Sequence, residues 1–429
     1  MRISRRAVAV AAVLATVLPL SACGGSDSES SDASGAVKGK ITFQTWNLQA
    51  NFKDYFNGVI KDFEKKYPDT KVKWVDRPAE GYADKLSADA AGGTLPDVVN
   101  VSPDLVTPLA KAGLALDLDK DKTSSEFSKE YLPGAWKSHQ IPGMEGTYGF
   151  PWYLNTGPTF YNKRLFTEAG LDAEKPPTTY DQLFEDSLKL AKQSNGKVAT
   201  LAQVPTIEDF GRYGVQLMNK EGTGFAFNDA KGVELLTNYK KMFDNKALDS
   251  QALTATPESA GTKFLTESVA MNPGSAFDLD NFKKNAPNLY KNIGITDQIS
   301  STGKVNMYVM GVMVNAKTKE KPAAVAFAHF VTDATRQMSF AKQVAIFPST
   351  KGSLDDPYFT KEDGTDETRV RIAAAKSLKK AENYTPVLFS EQMKTELRNQ
   401  VAKALQGKQS PQEALDQAVK ACDRLLQQS

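Results

Sequence analysis

The stretch that decides the fold is Ile41-Thr42-Phe43-Gln44-Thr45-Trp46 and the sixty residues after it. Ile41 and Phe43 alternate with polar neighbours, which reads as a strand. Phe52, Tyr55, Phe56, Ile60 and Phe63 follow at helical spacing, and that helix must stop before Pro68. Val72 and Trp74 alternate again in a strand over 71–76. A second helix over about 82–91 runs into Gly92-Gly93, where glycine can take the left-handed conformation that closes a helix. A short apolar run over 97–101 reads as a third strand. Strand, helix, strand, helix, strand implies an α/β protein with a parallel, doubly wound sheet.

In open α/β sheets ligands bind outside the carboxyl ends of the strands. The residues just past these three strands are Trp46 and Asn47, then Arg77 to Glu80, then Ser102 to Asp104. An aromatic ring, an amide, carboxylates and a hydroxyl are therefore expected on one edge.

Farther along, Thr179 with Gln182 forms a capping-box pattern that opens a helix carrying Phe184, Leu188 and Ala191. Ser410-Pro411-Gln412-Glu413 combines a capping serine, a proline at the first helical position and a glutamate two residues later. Cys422 lies among Leu415, Ala418, Val419 and Leu426 at helical spacing, the pattern of a core thiol.

In the other direction the chain opens with a targeting segment. Met1 to Arg6 is basic, and 7–20 is apolar apart from Thr16 and Pro19. That run is too short for a spanning helix, which needs about 18 or more residues. It ends in Leu20-Ser21-Ala22-Cys23-Gly24, so 1–22 is read as a lipoprotein signal peptide. Cys23 is then the residue that receives the lipid and becomes the mature N-terminus. Arg5-Arg6 leaves both the general secretory and the twin-arginine export routes open. Residues 24–35 contain no large apolar side chain, and 23–37 is read as a flexible tether. The expected location is the extracytoplasmic face of the cell membrane.

The chain has 429 residues, 41% hydrophobic and 24% charged. That is globular composition, long enough for two lobes. Three of the charges behind the formal +2 are Arg2, Arg5 and Arg6, so the remainder stands at −1. With no dense basic stripe, nucleic acid is not an expected partner. The two cysteines, Cys23 and Cys422, leave no disulfide once the first is lipidated. No Cys/His group has metal spacing, no G-x-S-x-G elbow occurs, and no glycine loop suits a nucleotide, so no cofactor or metal is expected.

At several points the chain resembles the extracellular solute-binding proteins of ABC sugar importers, the relatives of maltose-binding protein. Ile41–Trp46 looks like that family's opening strand, and Phe63-Glu64-Lys65-Lys66-Tyr67-Pro68-Asp69 like the end of its first helix. Tyr82–Leu86 followed by Ala90–Val98 is similar to its helix, turn and third strand. The most specific stretch is Tyr148-Gly149-Phe150-Pro151-Trp152, Phe160–Phe166, Ala169–Asp172 and Pro176–Leu183. Ala270-Met271 before Gly274, Phe347-Pro348-Ser349-Thr350 and Ser410–Leu415 also fit. Glu267-Ser268-Val269 departs from the pattern, since members usually carry a glycine and a lysine there.

The resemblance implies a two-lobed periplasmic-binding-protein-like fold of type II, with the first lobe at 38–152 plus 302–335 and the second at 153–301 plus 336–429. It also implies a monomer that captures a carbohydrate, expected to be an oligosaccharide, by hinge closure and delivers it to permease subunits. Catalysis is not expected. A pyranose has an apolar C–H face and a belt of hydroxyls, so its site needs aromatic platforms with amides and carboxylates. The platform candidates are Trp46, Trp152, Tyr153 and Phe277, and the polar candidates Asn47, Glu80, Asp104 and Ser275. Tyr308 and Gly311 are placed on the floor. The rival ligands are glycerol phosphate, a polyamine and iron. The rival from another class is a secreted glycoside hydrolase, for which carboxylates are plentiful but carry no spacing signal.

Overall fold

The structure, a computed structural model, describes residues 33–255, 257–274 and 276–428. The leader, Cys23, the tether as far as residue 32 and Ser275 lie outside the described residues. The strands are β1 (Gly39–Trp46), β2 (Thr70–Arg77), β3 (Val98–Val101), β4 (Phe150–Asn155), β5 (Thr159–Asn162), β6 (Met271–Pro273), β7 (Ile293–Thr296), β8 (Tyr308–Val314) and β9 (Phe347–Pro348). They form a six-stranded sheet in the order β2-β1-β3-β8-β4-β9 and a three-stranded sheet in the order β6-β5-β7.

The opening units fold as their apolar spacing requires. Ile41 and Phe43 of β1 are buried, and α1 (Gln49–Lys66) turns Phe56, Val59 and Phe63 inward. α2 (Tyr82–Ala91) ends where Gly93, not Gly92, takes the left-handed conformation at φ 67°. α1 has no side-chain cap of its own. The Asp76 carboxylate supplies one from β2, accepting from the Leu48 N–H at 3.1 Å and the Gln49 N–H at 2.9 Å. A negative charge there also complements the positive end of the helix.

The sheet is mixed rather than wholly parallel. β1, β2 and β3 are parallel neighbours, whereas β8 runs antiparallel to both β3 and β4, and β9 antiparallel to β4. The sequence pattern stops at β3, and the remaining strands come from segments at least 49 residues farther along, so their direction is a tertiary outcome.

The expected lobe boundaries shift for the same reason. β4 runs past residue 152 to Asn155, so Tyr153 belongs to the first lobe's sheet. The segment after 335 also returns to that lobe. The helix Ala334–Ala341 places Phe340 against Tyr55 and Trp152 at ring centroid distances of 5.0 and 6.0 Å, and β9 pairs with β4. Beyond it, the helix Asp366–Leu378 puts Ala374, Ala375 and Leu378 on the first lobe and Val370 on the second.

The second lobe packs Phe210, Phe227, Leu236 and Met242 against the C-terminal helices, with Cys422 buried among them. Burial pushes that thiol's pKa up to about 12, which fits a core role. The Thr179–Gln182 capping box is formed, and Ser410 and Glu413 bond reciprocally.

Three segments connect the lobes: 156–158, 297–307 and 379–389. Their polar side chains lace them together. The Gln298 amide donates to Thr156 Oγ1 at 2.9 Å and to the Asn306 carbonyl at 3.1 Å, while its oxygen accepts from the Asn306 N–H at 2.9 Å. Met307 N–H donates to the Glu382 carbonyl at 3.0 Å, and Tyr384 N–H to Asn306 Oδ1 at 2.9 Å. Short segments joined side by side in this way form a hinge that can bend while each lobe stays rigid.

Candidate functional site

Strand direction decides which side chains share an edge. β1 and β2 are in register from Gly39 opposite Thr70 to Trp46 opposite Arg77, so Trp46 and Arg77 end together. β8 runs against β3, which brings the start of β8 to that edge, and β4 runs against β8 with Asn155 opposite Tyr308. Trp46, Arg77, Asn155 and Tyr308 therefore lie along one edge of the six-stranded sheet.

Trp46 is half-buried and packs edge-on against Tyr82, with ring centroids 4.6 Å apart at 71°. The Tyr82 hydroxyl donates to the Asn100 carbonyl at 2.9 Å, which fixes that ring as a support. Asn47 adopts φ 50°, a left-handed turn that asparagine tolerates. Its Oδ1 accepts from the Ala79 N–H at 3.2 Å, and it lines an open cavity of about 710 Å³ with Asp76 and Arg77. Glu80 is exposed in the loop before α2. Asp104 is exposed in the first turn of α3 (Pro103–Lys111), where a carboxylate also complements the helix dipole.

Tyr308 is 55% exposed, the one large exposed aromatic or aliphatic side chain recorded among the described residues. Its hydroxyl pKa is nonetheless raised, first by desolvation and then by the negative charge of Glu208. Solvent reaches the ring while protein crowds it from several sides, as on the wall of a concave cleft. Glu208 belongs to the second lobe, on the helix Ile207–Tyr213, near enough for its charge to act on Tyr308 of the first.

That helix is held in place from behind. Arg212 donates to Asp209 at 2.6 Å and to the Ile299 carbonyl at 3.1 Å, and the Tyr180 hydroxyl donates to Asp209 at 2.7 Å. Burial works against the guanidinium charge, but Tyr180 and Asp209 outweigh it and raise the Arg212 pKa. The arginine is thus a fixed strut rather than a free cation. Glu208 accepts from the Thr385 hydroxyl at 2.6 Å, which leaves its second oxygen for another donor. Gly211 lacks the Cβ that would come within 2.5 Å of the Tyr384 ring, so that tyrosine can lie on the helix with its hydroxyl 2.8 Å from the Thr302 hydroxyl.

Three of the expected side chains lie elsewhere. Trp152 is 0% exposed, enclosed by Phe43, Phe56 and Phe340, and is core rather than platform. Tyr153 packs against Trp152 and Phe340, with its hydroxyl pushed up to about 12 by burial. Gly311 is buried under His139, and a Cβ there would come within 2.0 Å of the imidazole Nε2. Its role is to admit that ring, not to floor a cleft. Ser275 falls outside the described residues, as does the side chain of Phe277.

Asn155, Glu208 and Tyr384 were not anticipated. Asn155 follows from the strand-end rule once β4 is seen to run to that residue. Glu208 and Tyr384 carry no local signal, because only the hinge brings them to this edge. Together, two tyrosines, a tryptophan, amides and one half-engaged carboxylate can stack on an apolar face and exchange hydrogen bonds with hydroxyls. Among the described residues no group of three or more His, Cys, Asp or Glu is placed to hold a metal ion, and no helix is long and apolar enough to cross a membrane.

Residues 49–338 match the family model described as bacterial extracellular solute-binding protein. The chain is 25% identical over 426 residues to the galactooligosaccharide-binding protein of Bacillus subtilis (strain 168), covering 94% of this chain and 93% of that one. It is 24% identical over 428 residues to the sn-glycerol-3-phosphate-binding periplasmic protein of Escherichia coli (strain K12), covering 91% and 94%. Among solved structures it is similar to a sugar-binding protein of Xanthomonas citri, with a TM-score of 0.73 at 18% identity over 91% of this chain and 98% of that one.

Proposed function

Because the chain belongs to the bacterial extracellular solute-binding proteins, we propose that it captures a carbohydrate between its lobes and delivers it to the permease of an ABC importer. The observation that carries the ligand class is Tyr308, exposed on one lobe and within reach of the Glu208 charge on the other. A sugar stacked on Tyr308 and bonded to Glu208 touches both lobes. It therefore binds the closed form more tightly than the open one, and that difference drives closure. Trp46, Asn47, Asn155 and Tyr384 supply further stacking and amide contacts, with Glu80 and Asp104 at the rim. Several aromatic rings favour more than one sugar unit. The names of the B. subtilis and X. citri relatives support a sugar as cargo.

The role is binding without turnover, since the ligand leaves unchanged through the permease. Cys23 carries the lipid that holds the monomeric body at the extracytoplasmic face, supported by the small residues Ser21-Ala22 before it.

A glycerol phosphate ligand is the second reading, supported by the name of the E. coli relative. Against it, Arg212 already spends its charge on Asp209. Arg77 at the strand edge would have to hold the phosphate. A thermal-shift screen separates the two. A ligand that binds only the folded state stabilises it by about 2.7 kcal/mol at a hundredfold over its dissociation constant. A midpoint rise with an oligosaccharide supports the first reading. A rise with glycerol phosphate alone replaces it with the second.

A further inference from the structure

The edge of the six-stranded sheet opposite the ligand edge is lined with lysine. β1 begins beside the exposed Lys38 and carries the exposed Lys40, and β2 carries the exposed Lys71 and Lys73. The turn after β8 adds the exposed Lys317 and Lys319. Backbone contacts bring these segments together. Gly39 N–H donates to the Asp69 carbonyl at 2.9 Å, and Asn315 N–H to the Asp97 carbonyl at 2.9 Å, while Asp97 Oδ2 accepts from the Thr42 N–H at 2.8 Å. α1 also finishes at this end, on Lys65 and Lys66.

Of the carboxylates here, Asp69 and Glu320 offset part of the lysine charge, Glu320 lying beside Gly39, while Glu64 and Asp97 are engaged within the protein. Glu64 accepts from Lys71 and from the Val72 N–H, and Asp97 from Thr42 and Thr318. Lys40 and Lys71 are register partners on adjacent strands. The Glu64 carboxylate, 2.8 Å from the Lys71 ammonium, offsets part of the repulsion between them. Lysine on an edge strand discourages pairing with other chains, which accounts for Lys71 and Lys73 on β2. It does not account for Lys38, Lys317 and Lys319, which lie off that strand.

The second observation is where the tether joins. The described chain begins at Ala33, whose N–H donates to Asp121, and a Cβ on Gly35 would sit 3.2 Å from Pro322, just beyond this lysine turn. Ten residues separate Cys23 from Ala33, a reach of at most about 35 Å fully extended. A lipid on Cys23 would hold the tether's start within about 35 Å of the headgroups, near enough for the basic end to reach them. The attraction acts within about one Debye length, roughly 8 Å at physiological salt.

We propose that this lysine end docks the body on the anionic phospholipid surface of its own membrane. The anchoring step rests on the lipid reading of Cys23, but the charge attraction does not. β1 spans eight residues, about 26 Å at about 3.3 Å per residue, between the basic end and Trp46. In the docked pose the ligand edge points away from the membrane, open for capture. Delivery then requires the body to leave the lipid surface and turn its cleft to the permease.

The five hydrophobic clusters are built from residues 33 onward, and 32–429 form one compact unit. The body lacking the leader and Cys23 is thus a fair test object. Flotation with phosphatidylcholine vesicles containing about a third phosphatidylglycerol should recover it at 50 mM salt. Vesicles of phosphatidylcholine alone, or 500 mM salt, should not. Replacing Lys40, Lys71, Lys317 and Lys319 by glutamine should reduce recovery at least tenfold. The same change at Lys192, Lys197, Lys220 and Lys408 on the second lobe should leave it intact. No binding by the unaltered body, no loss in the first variant, or equal loss in both would overturn the proposal. Calorimetric sugar affinity, measured on the same samples, reports on the carbohydrate reading independently.

Discussion

Trp152 offers the sharpest test of the site as built here, because its environment predicts a stability effect with a definite sign and size. Its ring lies 6.3 Å from Phe43, 5.7 Å from Phe56 and 6.0 Å from Phe340, centroid to centroid, and is fully enclosed. Truncating a buried tryptophan to alanine costs about 3–5 kcal/mol through lost burial and the cavity left behind. One term acts in the opposite direction. The indole N–H is buried with no hydrogen-bond partner among the described residues. Removing an unsatisfied buried donor recovers about 1–3 kcal/mol. The net loss for Trp152→Ala is therefore expected at about 2 kcal/mol. Trp152→Phe keeps the stacked ring and removes the orphan N–H, so it should cost under about 1.5 kcal/mol. Urea unfolding followed by far-UV circular dichroism measures both, with the slope checked for constancy between variants. At a temperature where both variants are folded, sugar affinity should change less than threefold. A Trp152→Ala protein that unfolds within about 0.5 kcal/mol of the parent, or loses affinity tenfold while remaining as stable, would refute the core assignment.

The remaining expectations are as direct. Tyr308→Ala should weaken sugar binding about tenfold, or about 1.4 kcal/mol by calorimetry, with stability unchanged within about 0.5 kcal/mol, while Tyr308→Phe keeps most of the affinity. Burial lowers the His139 pKa from 6.5 to about 4, so the unfolded chain binds the proton more readily between those values. The neutral ring's contribution is complete above pH 6.5 and is lost as pH falls toward 4, by about 3 kcal/mol. Denaturation at pH 7 and pH 4.5 should show this loss in the parent and a shallower one in His139→Leu; equal slopes would remove His139 as the cause. Gly311→Ala should lower the melting temperature by several degrees, since the added methyl meets the His139 ring. An unchanged melting temperature would mean that the ring moves freely.

Local chemistry made much of this molecule legible in advance. The alternation of β1, the helical spacing of Phe56 and Phe63, the capping boxes at Thr179 and Ser410 and the Cys422 helix all depend on neighbours within a turn or a strand. The strand-edge position of Trp46 and Asn47 was reachable too, because the end of a parallel strand is a position along the chain. Trp152 and Tyr153 were not. A tryptophan near a strand end has the same local pattern whether it faces a cleft or a core, and only the return of Phe340 decides between them.

The sequence by itself determined the α/β class, the opening units and the family resemblance, all of which rest on short-range spacing. Tertiary structure alone decided the antiparallel strands, the return of 334–348 to the first lobe and the placing of Glu208 near enough to act on Tyr308. The physical reason is separation. Each of those pairings joins segments a hundred or more residues apart, and its energy comes from burying faces against each other, which no local pattern encodes.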